Sequence, residues 1–263
     1  MAFFKNGRAL RAAVLACGMV WLGPAGISVA GPAGIPYGFS PKPNSDEPFE
    51  LYTTPVYSGG LLKKWLGVAH KLEDERVQLA LCDGDRARCV SEAALKFLRI
   101  VDRGRQRDGR ARLGEINQAI NIAIRPMEDL VQYGEVDVWS SPLVTFNTGA
   151  GDCEDYAIAK YVALQMAGIP AEDLRIVVVL DVNGDGHAVA SVRLDGHWLI
   201  LDNQQMAMIE DVNARTYHPR FVIDESGVMK YSDAPRLVSA PERNNRRPVV
   251  ATAVQPGSIA SFK

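Results

Sequence analysis

Residues 149–170 read GAGDCEDYAIAKYVALQMAGIP, and this stretch decides the fold. Glycines interrupt the chain, carboxylates crowd around one cysteine, and Ala, Ile, Lys, Leu and Met then favour a helix until Gly168-Ile169-Pro170 stops it. The spacing predicts a helix over 152–166 with Cys153 in its first turn. After Pro170 the period changes. Residues 175–180 read as a strand of the buried type, apolar from Ile176 onward, and 188–194 and 198–201 flank an Asp195-Gly196 turn as a hairpin. A second hairpin is expected from 220–223 and 228–231, closed through Glu225-Ser226-Gly227.

Upstream of the decisive stretch the signals are helical. Ser91 caps a predicted helix over 91–101 with Ala94, Phe97, Leu98 and Val101 on one side. Ile116, Ile120 and Ile124 mark another over 113–124, stopped by Pro126. The pattern over 61–81 is weaker, although Trp65, Ala69 and Leu72 fit one helical face. Helices followed by antiparallel strands give an α+β fold, with N-terminal helices packed on the sheet.

The ends read differently. Lys5, Arg8 and Arg11, an apolar stretch over 12–20 and Ser28-Val29-Ala30 form an export signal, so residues 1–30 are expected to be cleaved. A lipoprotein signal ending at Cys17 fits less well, because an apolar stretch with Trp21 follows it. Residues 31–50 are Pro- and Gly-rich and read as a linker, 51–233 as the folded domain, and 234–263 as a disordered tail. Loss of three basic and no acidic residues takes the net charge from −2 to −5. That charge argues against nucleic acid as a partner.

Cleavage leaves Cys82, Cys89 and Cys153. In an oxidising compartment the close pair Cys82/Cys89 can form a disulfide, which leaves Cys153 as the reactive thiol. A thiolate is the nucleophile, and the start of a helix favours it. Asp152, Glu154 and Asp155 oppose it, because negative charge beside a thiol favours the protonated form. Either these carboxylates point away, or a cation neutralises them; three together make a hard-oxygen site of the kind that takes Ca²⁺. Helix N-terminal complementarity accounts for one or two of them without a metal. His187, at the start of one hairpin strand, suits a general base, and Asp202, at the end of the other, suits its orienting carboxylate. Asp181 to Gly186 imitates the opening of an EF-hand loop, but Val192 stands where the bidentate Glu is required, so a turn is expected.

These residues resemble a known family. Trp139-Ser-Ser-Pro142, Gly149 to Tyr161, Gly184-Asp-Gly-His-Ala-Val189 and Leu201-Asp-Asn203 are similar to motifs of the bacterial transglutaminase-like cysteine peptidases, as is Asn117-Gln-Ala-Ile-Asn121 upstream. The resemblance spans about residues 75–232. It implies a papain-like, transglutaminase-type fold and a triad of Cys153, His187 and Asp202. It also implies calcium held by Asp152 and Glu154, with Asp155 a weaker match. The LapG-type members are periplasmic, cut surface adhesins, and answer to an inner-membrane receptor; the likeness to them is more distant than to the family at large. The expectation is therefore a periplasmic cysteine endopeptidase with a protein substrate. Acyl transfer to an amine is the alternative chemistry, and a non-catalytic binding module is the alternative class.

Overall fold

A computed structural model describes residues 46–232. The export segment, the linker up to residue 45 and the tail lie outside them. Strand β1 (Thr53–Pro55) is followed by helices α1 (Gly60–Gly84), α2 (Glu92–Arg105) and α3 (Gly109–Ala123). Strand β2 (Arg125–Pro126), the short helices α4 (Asp129–Gln132) and α5 (Pro142–Thr148), and strand β3 (Ala150–Gly151) lead to α6 (Cys153–Met166). The chain then forms β4 (Leu174–Leu180), β5 (Gly186–Leu194), β6 (His197–Leu201), β7 (Ile209–Glu210), β8 (His218–Asp224) and β9 (Gly227–Tyr231).

Seven strands make one sheet in the order β1-β9-β8-β4-β5-β6-β7, every neighbouring pair antiparallel. The α+β expectation holds. Side chains alternate along the central strands. Ile176, Ala188, Ala190, Val192, Leu199 and Leu201 face a core shared with the helices, α6 lying against β4 and β5. Val177, Val179, Val189, Ile200 and Val222 face the other way, under Phe49, Leu51 and Tyr217. Cover on both faces is why β4 is apolar without a break from Ile176 to Leu180.

That cover corrects the expected linker. Residues 46–50 are docked: the Arg175 guanidinium donates to both oxygens of Glu47 at 2.7 and 2.9 Å, and Trp198 Nε1 donates to the Asp46 carbonyl at 3.0 Å. Asp195 and Gly196 both take positive φ in the β5–β6 turn, as a tight hairpin requires. Ser91 caps α2 as expected, its Oγ accepting from Ala94 N at 3.2 Å. Helix α1 is longer than its weak pattern suggested. It buries Trp65, Val68, Leu79 and Cys82, which helical spacing places along one side, and Trp65 Nε1 donates to the Asp224 carbonyl at 3.1 Å. The Cys82–Cys89 disulfide closes its C-terminal end. Helix α3 begins at Gly109, before the expected Leu113, because its first turn is exposed and polar. Asp181 Oδ1 accepts from the backbone of Asn183 and Asp185, which makes the false EF-hand a turn.

Candidate active site

The start of α6 is held by short-range packing. Gly149 ends α5 in a left-handed conformation (φ 66°) that favours glycine, its N–H donating to Thr145 O at 2.8 Å. The chain then pairs β3 with β2 in parallel and turns into the helix at Asp152. A Cβ at Gly151 would lie 2.4 Å from Asp155 Oδ2, so only glycine fits against that carboxylate. Asp155 is fully buried and accepts the Ser140 N–H at 2.8 Å, fastening the 139–141 segment to the helix. Burial, helped by the charges of Asp152 and Asp129, pushes its carboxyl up to about 8.

Cys153 and His187 line one cleft of ≈ 590 Å³, together with Asp129, Asp152, Glu154, Trp139 and Ala188. The Cys153 thiol donates to Glu154 Oε2 at 3.2 Å, and the Ala188 N–H is directed at the sulfur, which sets the thiol beside the start of β5. Burial first, and then the charge of Glu154, raise its pKa; the Ala188 N–H opposes them. The His187 ring is buried, and its Nε2–H donates to Asp202 Oδ1 at 2.9 Å. Nδ1 is the nitrogen left for a partner in the cleft. Asp202 also accepts from Gln204 N at 3.0 Å and from the Tyr217 hydroxyl through Oδ2. Burial works against its charge, but these three hydrogen bonds outweigh burial and hold the carboxyl below its ordinary value. Asn121 Nδ2 grips the Asp202 backbone carbonyl at 2.9 Å.

Ligand atoms of Asp129, Asp152 and Glu154 all lie within 4.8 Å of one another. Of the expected Asp152, Glu154 and Asp155, the first two share this group with Asp129 from α4, whereas Asp155 is turned to Ser140. Burial, then the hydrogen bond and charge of Glu154, raise Asp152 to about 8, with Asp129 and Asp137 adding to the effect. Burial also raises Asp129 and Glu154. Asp137 differs: burial opposes its charge, but Lys64 and Trp139 Nε1 hold its carboxyl below the usual value.

Residues 78–228 match the sequence profile of the bacterial transglutaminase-like cysteine proteinases. The chain belongs to this family. As a transglutaminase-like cysteine proteinase it is a cysteine peptidase, and its substrate is a protein. Among solved structures it is similar to calcium-bound LapG of Legionella pneumophila. The two are 24% identical, with 53% of this chain and 78% of that one covered and a TM-score of 0.47. EGTA-treated LapG from the same organism is 21% identical over 60% of this chain and 85% of that one, with a TM-score of 0.49. A comparison with curated proteins finds no match.

Three residues that line this proteinase's cleft or hold Asp202 carry no role that the sequence shows by itself. Asp129 is one carboxylate among many until α4 turns it inward, where Val138 N–H donates to it. Tyr217, just before β8, reaches Asp202 from fifteen residues along the chain, and its ring lies 6.0 Å from that of His187. Asn121 sits inside a stretch already singled out, but its grip on Asp202 depends on how α3 meets the end of β6. The other histidines take no part in the cleft: His70, His197 and His218 are exposed.

Proposed function

We propose that the chain is a calcium-supported periplasmic endopeptidase that cuts an exported or surface protein, such as an adhesin, with Cys153, His187 and Asp202 as its catalytic triad. One observation carries this reading: a buried His187–Asp202 pair opens onto the same cleft as a thiol in the first turn of a helix. His187 Nδ1 takes the thiol proton, and the positive end of α6 favours the thiolate. The sulfur attacks the scissile carbonyl carbon. As the C–N bond breaks, His187 returns the proton to the leaving amine and a thioester remains. Water, deprotonated by His187, then attacks the thioester and regenerates the thiol. Asp202 keeps Nε2 protonated and the ring oriented throughout.

The thiol's raised pKa is the obstacle in this scheme, and Glu154 is part of its cause. A hard divalent cation fits the acidic group that includes Glu154. Asp129 Oδ1 and Asp152 Oδ1 are buried and have no hydrogen-bond partner, and all three side chains offer the oxygen donors that Ca²⁺ prefers. Asp129, Asp152 and Glu154 would hold it. When bound, the cation supplies the positive charge that offsets these carboxylates beside the sulfur. Export rests on the signal read in residues 1–30, and the Cys82–Cys89 disulfide suits an oxidising compartment.

Iodoacetamide should label Cys153 in the purified mature chain faster in calcium than in chelator. Comparative surface proteomics of wild-type and Cys153→Ala cells should reveal exported proteins that stay longer in the variant. An unchanged set of protein lengths would end the processing proposal, and incorporation of a labelled amine into protein glutamines would redirect it to acyl transfer.

A further inference from the structure

Lys160 has no role in the scheme above, yet it is fully buried on the helix that carries the nucleophile. It follows Cys153 by two turns, so both side chains lie on nearly one face about 10 Å apart along the axis. Its Nζ donates to the carbonyl of Leu201, the residue before Asp202, at 3.2 Å, and sits 5.9 Å over the Tyr156 ring. Taking an ammonium out of water is costly, and Met would fill the same space without that cost. A costly group kept at the back of a reactive site indicates a task there.

We propose that Lys160 is a positioning residue. It ties the helix bearing Cys153 to the strand end bearing Asp202, and it serves as the buried counter-charge of the Asp202 carboxylate. This rests on the triad reading. From α3, Asn121 takes the next carbonyl, that of Asp202 itself, so two helices clamp the backbone on either side of this residue's side chain. Asp202 is the charged group that acts on Lys160; Tyr156 presents its ring, and His187 and Tyr217 bond the same carboxylate. Burial lowers the Lys160 pKa to about 7, and Asp202 works against that fall. The counter-charge therefore weakens as pH rises.

The test uses the full mature chain in calcium. In protein labelled with ¹⁵N-lysine, NMR follows the Lys160 amine as pH is varied. Asp202→Asn removes the charge that favours the ammonium, so the Lys160 midpoint should fall by about half a unit or more. A midpoint unmoved by Asp202→Asn overturns the counter-charge. Lys160→Met should slow iodoacetamide alkylation of Cys153 by about tenfold with the melting temperature kept or raised, because it removes a buried charge. Lys160→Gln keeps a donor for the Leu201 carbonyl and should recover part of that rate. Alkylation within twofold of wild type in folded Lys160→Met overturns the positioning role. If Lys160→Met does not fold, Lys160→Gln and the NMR midpoint decide. Failure of the triad reading shows separately, as a Cys153→Ala chain that still cleaves.

Discussion

Chelation should make this protein's stability depend on pH in a direction set by Asp152. Unfolded, that carboxyl titrates near 3.8; folded and without a cation, burial and the neighbouring carboxylates raise it to about 8. Between those values the folded chain holds a proton that the unfolded chain has lost, so stability falls as pH rises. The contribution is complete below 3.8 and gone above about 8. One proton corresponds to about 1.4 kcal/mol per pH unit, hence a ceiling of roughly 4 kcal/mol between pH 5 and 8. Asp152 is partly open to water and shares its proton with Glu154, so about 2 kcal/mol is the expected loss. For a domain of this size that is a fall in melting temperature of about 4–8 °C. Saturating calcium replaces the proton on Asp152 and should make the profile shallower while raising it, the Asp155 contribution remaining. Asp152→Asn should make the profile in chelator shallower, leaving the slope that Asp155, also raised to about 8, contributes. Thermal melts at several pH values, in EGTA and in calcium, make the measurement. A flat profile in EGTA that calcium leaves in place would refute the claim that these carboxylates form a cation site.

Three further outcomes follow from the same geometry. Glu154→Gln removes the charge and weakens the acceptor next to the sulfur, so in chelator Cys153 should alkylate faster than wild type while the calcium response shrinks; a slower rate would contradict the stated cause of the raised thiol pKa. Tyr217→Phe deletes a hydrogen bond to a buried carboxylate and should cost about 1–3 kcal/mol in urea denaturation as well as slowing alkylation; no change in either would show that the hydroxyl is unimportant to Asp202. Gly151→Ala puts a methyl 2.4 Å from Asp155 Oδ2 and 2.8 Å from its Cβ, a clash that Asp155 cannot relieve without releasing Ser140. It should lower stability by about 1–3 kcal/mol, read by the same denaturation, and a neutral variant would mean the helix start is looser than described.

Local chemistry made much of this protein legible from its residues alone. Helix α6, the cap at Ser91 and both hairpins depend on propensity, capping and turn geometry, which act over a few neighbours and leave their mark in sequence. Cys153, His187 and Asp202 could be picked out because a helix start and paired strand ends are predictable landmarks. The short helices α4 and α5 and the strand β1 escaped because a few residues carry no period, and the 46–50 segment escaped because its partners, Arg175 and Trp198, lie more than a hundred residues away. Packing, over a much shorter separation, also hid the exchange of Asp155 for Asp129 in the acidic group, since only packing decides which carboxylate faces a cleft and which meets a backbone N–H. Tyr217, Asn121 and Lys160 converge on Asp202 and the carbonyl before it from three separate elements. Sequence therefore determined the local elements that carry the candidate residues, through forces that reach one or two turns. Tertiary structure alone decided how those groups are held and charged, because burial and long-range hydrogen bonds exist only once the sheet and helices have closed on one another.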